Sequence, residues 1–99
     1  MYQSYENYPT FTVALWFGND REQKQYARYR ARSWGTPGEI QMAEWLRKRV
    51  EQSFTDDGVT LAMYNSGSVA GTLLGHVMNQ VDWMGLARKY ISDEKEEGS

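Results

Sequence analysis

The sequence predicts an all-α protein, a compact bundle of four to five short helices with an extended N-terminal arm. The chain of 99 residues suffices for one domain. Apolar residues recur at helical spacing in its longer segments, and capping residues stand before those segments. We predict the arm over residues 1–9, a single helical domain over 10–92, and a frayed acidic tail over 93–99.

The N-terminal region is polar and aromatic as far as Pro9. The residue before a proline avoids the helical conformation, which favours an extended arm. Thr10 is the predicted N-cap of the first helix, and a Gly-Asn pair ends that helix. The run 11–17 also suits a buried strand, because β-branched and aromatic residues are frequent in it. We favour the helix because no partner strand is evident elsewhere.

The second helix is predicted to start at Asp20, which with Gln23 fits a capping box. Residues 20–33 contain neither Gly nor Pro, and Trp34 with Gly35 ends the helix.

The third helix has the clearest predicted start. Thr36 is its expected N-cap, with Pro37 at the first helical position and Glu39 at the third. Apolar residues then recur on one face of this helix: Met42, Ala43, Leu46, Val50 and Phe54.

Two further helices are predicted toward the C-terminus. A short apolar stretch at 59–64 precedes a helix that starts at 65–68. Its predicted buried stripe is Val69, Leu73, Val77 and Val81. Gly71 and Gly75 leave one flank of this helix bare, so a neighbouring helix can approach closely. Asp82 is the expected cap of the last helix, whose inward face is Trp83, Leu86, Ala87, Tyr90 and Ile91.

Composition argues against several classes of function. The absence of cysteine excludes disulfides, thiolate catalysis and cysteine zinc sites. A lone histidine, His76, is expected as a partly buried helix residue, with Asp82 near enough in sequence to orient it. No nucleophile or pocket can be named beside it, so we expect no enzyme, no cofactor and no metal. No apolar run is long enough for a transmembrane helix, and the first residues lack signal-peptide features, so we expect a cytoplasmic protein.

Charge is distributed unevenly along the chain. The segment 21–49 holds eight basic and three acidic residues, whereas the rest holds three basic and ten acidic ones. We therefore expect a positive face and a negative face. The predicted partner-binding residues lie in the basic segment: Lys24, Arg28, Tyr29, Arg30, Arg32, Trp34, Arg47, Lys48 and Arg49.

This basic, aromatic surface admits more than one interpretation. Cations on a rigid helix suit phosphates, and aromatic rings suit the stacking of single-stranded bases. Alternatively the surface is a solvated or protein-binding face whose aromatic residues turn into the core. The acidic remainder suggests a mimic of nucleic-acid phosphates, but a net charge of −2 is small for that role. Surplus aromatic residues would also suit a homodimer that completes its core across a two-fold axis.

The opening of the chain carries a motif: Tyr5, Asn7, Tyr8 and Thr10, then Val-Ala-Leu-Trp at 13–16 and Asn-Asp at 19–20. It resembles the opening of a family of small uncharacterised proteins encoded by bacteriophages and other mobile elements. Pro9 and Phe11 depart from that pattern, in which an acidic residue and a tryptophan are common. The segment Val-Asp-Trp at 81–83 resembles the family's ending more weakly. Physically, Asn7 and Thr10 can tie the arm to the first helix by hydrogen bonds, which would make the motif structural.

The resemblance implies a phage-like origin. Small cysteine-free phage proteins without catalytic groups often act by binding host defence complexes, such as CRISPR effectors and restriction enzymes, or the host transcription machinery. The sequence hypothesis is therefore a binding protein in the bacterial cytoplasm that inhibits a host protein or nucleoprotein complex by steric contact. The alternative is an accessory protein that binds nucleic acid with the basic helix at 20–34.

Overall fold

The computed structural model describes residues 5–56 and 69–97, and within these ranges the chain is almost entirely helical. Five α-helices lie there: α1 Tyr8–Asn19, α2 Arg21–Trp34, α3 Glu39–Asp56, α4 Val69–Gln80 and α5 Trp83–Glu97. A 3₁₀ turn, Thr36–Gly38, joins α2 to α3. The predicted all-α bundle is confirmed, and the run 11–17 belongs to a helix. The segments predicted at 59–64 and 65–68 lie outside the described residues.

Helix α1 begins at Tyr8, two residues before the predicted start. Its N-cap is Asn7, whose extended backbone and side-chain oxygen meet the requirements of that position; the Oδ1 atom accepts a hydrogen bond from the Thr10 amide at 3.0 Å. Pro9 lies in the first turn, where its fixed φ is favourable and its missing N–H costs nothing. The predictions that Pro9 ends an arm and that Thr10 is the cap were therefore wrong.

The corner between α2 and α3 contains a 3₁₀ turn that the sequence analysis did not predict. Asp20 caps α2 as predicted, accepting from the Gln23 amide at 3.0 Å. Gly35 ends α2 with a φ of +62°, in the left-handed region that favours glycine. The chain then makes the 3₁₀ turn without a side-chain cap, so the prediction of Thr36 as an N-cap was wrong. The turn brings Gly38 so close to α2 that a Cβ on it would lie 2.5 Å from the Trp34 Cβ.

The hydrophobic core lies between α1, α2, α3 and α5, and α5 packs against both α2 and α3. Its largest fully buried side chains are Phe17, Met42, Leu46 and Leu86. Phe17 lies at the centre, with its ring 6.1 Å from that of Trp45 and 6.2 Å from that of Tyr90. The predicted faces of α3 and α5 are confirmed: Met42, Ala43, Leu46, Val50, Leu86, Ala87 and Ile91 are buried.

Helix α4 packs differently from the prediction. Val69, Leu73 and Val77 are exposed, at 79%, 60% and 44%, and only Val81 of the predicted stripe is buried, together with Met78. Among the described residues, α4 contacts α1, and the residues of this region that join the hydrophobic core, Met78 and Val81, lie at the C-terminal end of α4 or just after it. Periodicity identified an amphipathic helix but could not show how much of its apolar face is covered.

Helix α5 continues to Glu97, so the segment 93–97 is helical, not the frayed tail that the sequence suggested. Asp82 caps this helix as predicted, with its Oδ1 atom accepting from the Gly85 amide at 3.0 Å. Among the helices in the described ranges, none combines the length and apolar content needed to cross a membrane.

A small hydrogen-bond network holds the start of α1 to the turn between α4 and α5. The Asn7 amide donates to the Gln80 carbonyl at 2.8 Å. The Thr10 hydroxyl donates to Asn7 Oδ1 at 2.8 Å and accepts from the Asp82 amide at 2.9 Å. Thr10 is only 2% exposed. Two residues of the opening motif therefore have a structural role, and they connect segments more than 70 residues apart.

Candidate interaction surface

Helix α2 has one buried face, one face toward α5 and one toward α3, and its basic residues have different partners on the last two. Ala27 and Ala31 are buried against the core. Arg28 and Arg32, four residues apart, lie on the side that faces α5. Tyr26, Tyr29 and Arg30 lie toward α3, and Tyr29 also borders Arg28 and Arg32. The basic residues that the sequence suggested as one surface therefore divide into two environments.

On the α5 side, one buried carboxylate holds two arginines. Glu94 Oε1 accepts from Arg28 Nε at 2.6 Å, and Oε2 accepts from Arg32 Nη2 at 3.0 Å. The Glu94 side chain is 6% exposed, against 42% for Arg28 and 71% for Arg32. The hydrogen bond from Arg28 lowers the pKa of Glu94 below its usual value, with help from Arg32 and both positive charges, although burial opposes the shift. These arginines thus join α2 to α5, and the Glu94 carboxylate compensates one of their two positive charges.

Sequence reasoning missed Glu94 by placing it in a solvated tail. A signal for its burial was present: Glu94 lies three residues after Ile91 and seven after Ala87, so it continues the inward stripe of α5. A carboxylate in that register needs a cationic partner when it is buried. Arg28 and Arg32 are spaced to supply one from a single helix face.

On the α3 side, α2 and α3 form an open groove of about 400 Å³, hereafter the aromatic groove. Five residues line it: Tyr26, Tyr29, Arg30, Trp45 and Arg49. The two tyrosines are 45% and 64% exposed, which is high for side chains of this size. Trp45 is half-buried and packs against Phe17, so it connects the groove to the core.

The two arginines of the groove are arranged over aromatic rings. The Arg49 guanidinium carbon lies 5.3 Å from the Tyr26 ring centroid. That of Arg30 lies 5.8 Å from the Tyr29 centroid and 5.4 Å from the Trp34 centroid. Such distances are those of cation–π interactions, which stabilise the pair without neutralising the charge.

Arg49 is also held by hydrogen bonds to neutral groups. Its Nε donates to the side-chain oxygen of Gln23 at 2.5 Å, and its Nη1 donates to that of Gln52 at 3.1 Å. Within the described part of the chain, neither Arg30 nor Arg49 forms an ion pair with a carboxylate. The groove therefore combines exposed aromatic area with two positive charges that are not compensated locally.

The other predicted partner-binding residues lie apart from this cluster or at its edge. Arg47 pairs with Glu51 at 3.2 Å and donates to Asn79 at 3.1 Å, so it connects α3 to α4. Lys24 and Lys48 are exposed. The structure thus brings four predicted residues together, Tyr29, Arg30, Trp34 and Arg49, and adds Tyr26 and Trp45 to them.

His76 does not behave as predicted. It is exposed, not partly buried, and its ring nitrogen lies 3.1 Å from the Gln80 side-chain amide. Asp82, which the sequence suggested could orient His76, caps α5. In the described ranges, no group of three His, Asp or Glu side chains is arranged to hold a metal ion.

Comparison of the chain with protein-family models, with curated proteins and with solved structures finds no match.

Proposed function

We propose that this protein is a phage or mobile-element binding protein, without enzymatic activity, that inhibits a macromolecular complex of its bacterial host by steric protein–protein contact. The host target would be a defence system such as a CRISPR effector or a restriction enzyme, or the transcription machinery. The observation that carries the proposal is the aromatic groove, in which exposed tyrosines and uncompensated arginines converge. The resemblance of the opening motif to phage-encoded proteins supports the proposed origin.

The composition of the groove favours a protein partner. Tyrosine, tryptophan and arginine are the residues that dominate binding energy in protein interfaces. Here they are also held in place, because Trp45 packs on Phe17 and Arg49 is hydrogen-bonded by Gln23 and Gln52. A surface that is ordered before binding loses less conformational entropy when the complex forms.

A second candidate function is nucleic-acid binding by an accessory protein. Exposed tyrosine rings beside arginines are also the means by which single-stranded bases are stacked and phosphates are held. Binding that neutralises about five phosphates would weaken steeply with salt, with a log–log slope of about −3 to −5. Because Arg28 and Arg32 are engaged by Glu94, fewer cations remain for phosphates than the sequence suggested.

The two functions are separated by affinity capture from a bacterial host lysate, with and without nuclease. We expect a stoichiometric protein complex that survives nuclease. The combined variant Tyr29→Ala, Arg30→Ala should lose that complex, whereas Arg21→Ala, an exposed change on the same helix, should retain it. Recovery of nucleic acid alone, lost after nuclease treatment, would refute the inhibitor function and favour the accessory function.

A further inference from the structure

We propose that the aromatic groove receives an acidic segment of a partner protein. Carboxylates of that segment pair with Arg30 and Arg49, and an aromatic or apolar side chain between them lies on the exposed tyrosine rings. This inference rests on the proposed function and deepens it, because it states the chemistry of the surface that the groove recognises.

The groove holds two guanidinium groups that form no ion pair with a carboxylate of the described residues. Arg28 and Arg32 show what this fold does with an arginine pair when a carboxylate is in reach, since Glu94 accepts from both at 2.6 and 3.0 Å. Arg30 and Arg49 lie over aromatic rings, and Arg49 also donates to the neutral side chain of Gln23. Guanidinium groups form their strongest hydrogen bonds with anions. A carboxylate supplied from outside would therefore complete a pair that the chain leaves uncompensated.

The tyrosine rings beside these guanidinium groups are exposed. Tyr29 is 64% and Tyr26 45% exposed, and both border the same arginines. Covering such rings with an apolar side chain removes their surface from water and also strengthens the adjacent ion pairs. The occupant should therefore contain carboxylates and an apolar residue within a short segment.

The arrangement favours an acidic peptide over a nucleic-acid strand. A strand presents a phosphate at every nucleotide and needs a continuous track of cations. Three arginines of the predicted basic surface are engaged by carboxylates: Arg28, Arg32 and Arg47. What remains beside the groove's rings is a pair of guanidiniums, which matches two carboxylates better than a line of phosphates.

Fluorescence anisotropy with defined probes tests this inference. The probes are a short labelled peptide of repeating Glu-Glu-Phe, its Gln-Gln-Phe counterpart, and an oligothymidylate of equal length. We expect the Glu peptide to bind more tightly than the other two. Arg30→Gln and Arg49→Gln should each weaken it about fivefold, the upper end for a partly exposed ion pair. Arg32→Gln on the same helix should leave the affinity unchanged, and circular dichroism should show all three variants folded.

Several results would overturn the inference. Equal binding of the Glu and Gln peptides would show that the arginines do not recognise carboxylates. Tighter binding of the oligothymidylate would point to nucleic acid, and an equal loss in Arg32→Gln would place the contact elsewhere. If Arg30→Gln and Arg49→Gln capture the host complex as well as wild type does, and the Glu peptide does not displace it, this inference is refuted but the proposed function is not. Failure to capture any nuclease-resistant complex would instead refute the proposed function.

Discussion

Replacing Glu94 with glutamine should destabilise the fold, because it removes the charge that holds Arg28 and Arg32 to α5. The side chain keeps its size and one acceptor oxygen. Its amide group, however, would place hydrogens against a guanidinium that also only donates. The variant thus tests whether the buried carboxylate stabilises the packing of α2 on α5.

The magnitude follows from the two bonds. A hydrogen bond to a charged group contributes about 1.5–3 kcal/mol. The contribution of the Arg28 bond, which is 2.6 Å long, lies at the lower end of this range because Arg28 is 42% exposed. The Arg32 bond adds about 0.5 kcal/mol, since Arg32 is 71% exposed and water screens it. The expected loss is about 2 kcal/mol, which for a chain of this length lowers the melting temperature by about 8–16 °C.

The stability lost in Glu94→Gln should become smaller as the pH falls. Because the pKa of Glu94 is lowered in the folded state, its contribution is fully present above the unfolded pKa of about 4.3 and is lost as pH falls through the folded value. Urea unfolding of both proteins at neutral pH and at about pH 3 would measure this. The difference in free energy of unfolding should shrink on acidification.

The matched control is Asp93→Asn. Asp93 is next to Glu94 but 54% exposed, and it lies 3.9 Å from Lys89. This change should alter stability by less than about 0.5 kcal/mol. Equal effects of the two substitutions, or a Glu94→Gln effect that grows in acid, would refute the account of the buried carboxylate.

Three further predictions concern the fold and are measured by thermal or urea unfolding. Thr10→Val should lower the free energy of unfolding by about 1–3 kcal/mol, because the Asp82 amide loses its acceptor. The exposed control Thr12→Val should lower it by less than about 0.5 kcal/mol, and equal losses would contradict the network at the start of α1. Gly38→Ala should lower the free energy of unfolding by about 1–3 kcal/mol, because the new Cβ would collide with the Cβ of Trp34, the last residue of α2. Gly75→Ala, which has open space beside it, should raise the free energy of unfolding by about 0.5–1 kcal/mol, and unchanged stability of Gly38→Ala would show that the corner can relax. Phe17→Ala should cost about 3–5 kcal/mol, a large part of the stability of a small domain, and a smaller loss would mean that the core does not centre on this ring.

Most of the fold could be predicted from local patterns. Asp20 and Asp82 cap their helices as expected, and the apolar residues of α3 and α5 are buried as their spacing indicated. Local patterns failed where competing groups were close in sequence. Asn7 and Thr10 are both good N-caps. Asn7 caps α1, whereas the Thr10 hydroxyl accepts from the Asp82 amide in a distant segment, a contact that local sequence cannot show.

Burial of α4 could not be predicted, because the spacing of Val69, Leu73 and Val77 is the same whether or not another element covers them. The candidate site likewise depends on contacts between helices that local sequence patterns do not reveal. Composition indicated a basic, aromatic surface on α2, but the carboxylate that engages Arg28 and Arg32 lies on another helix. Glu94 engages Arg28 and Arg32, and α3 supplies the groove with the Trp45 ring, which the composition of α2 could not indicate.

The most direct test of the central claim is a calorimetric titration of this protein into the host complex that it captures. Wild type is compared with the combined variant Tyr29→Ala, Arg30→Ala and with the exposed control Arg21→Ala. We predict that the groove variant binds at least about tenfold more weakly, as expected when central interface residues are truncated, and that the control binds like wild type. Equal affinity of the groove variant and wild type would contradict the claim that the aromatic groove is the binding surface.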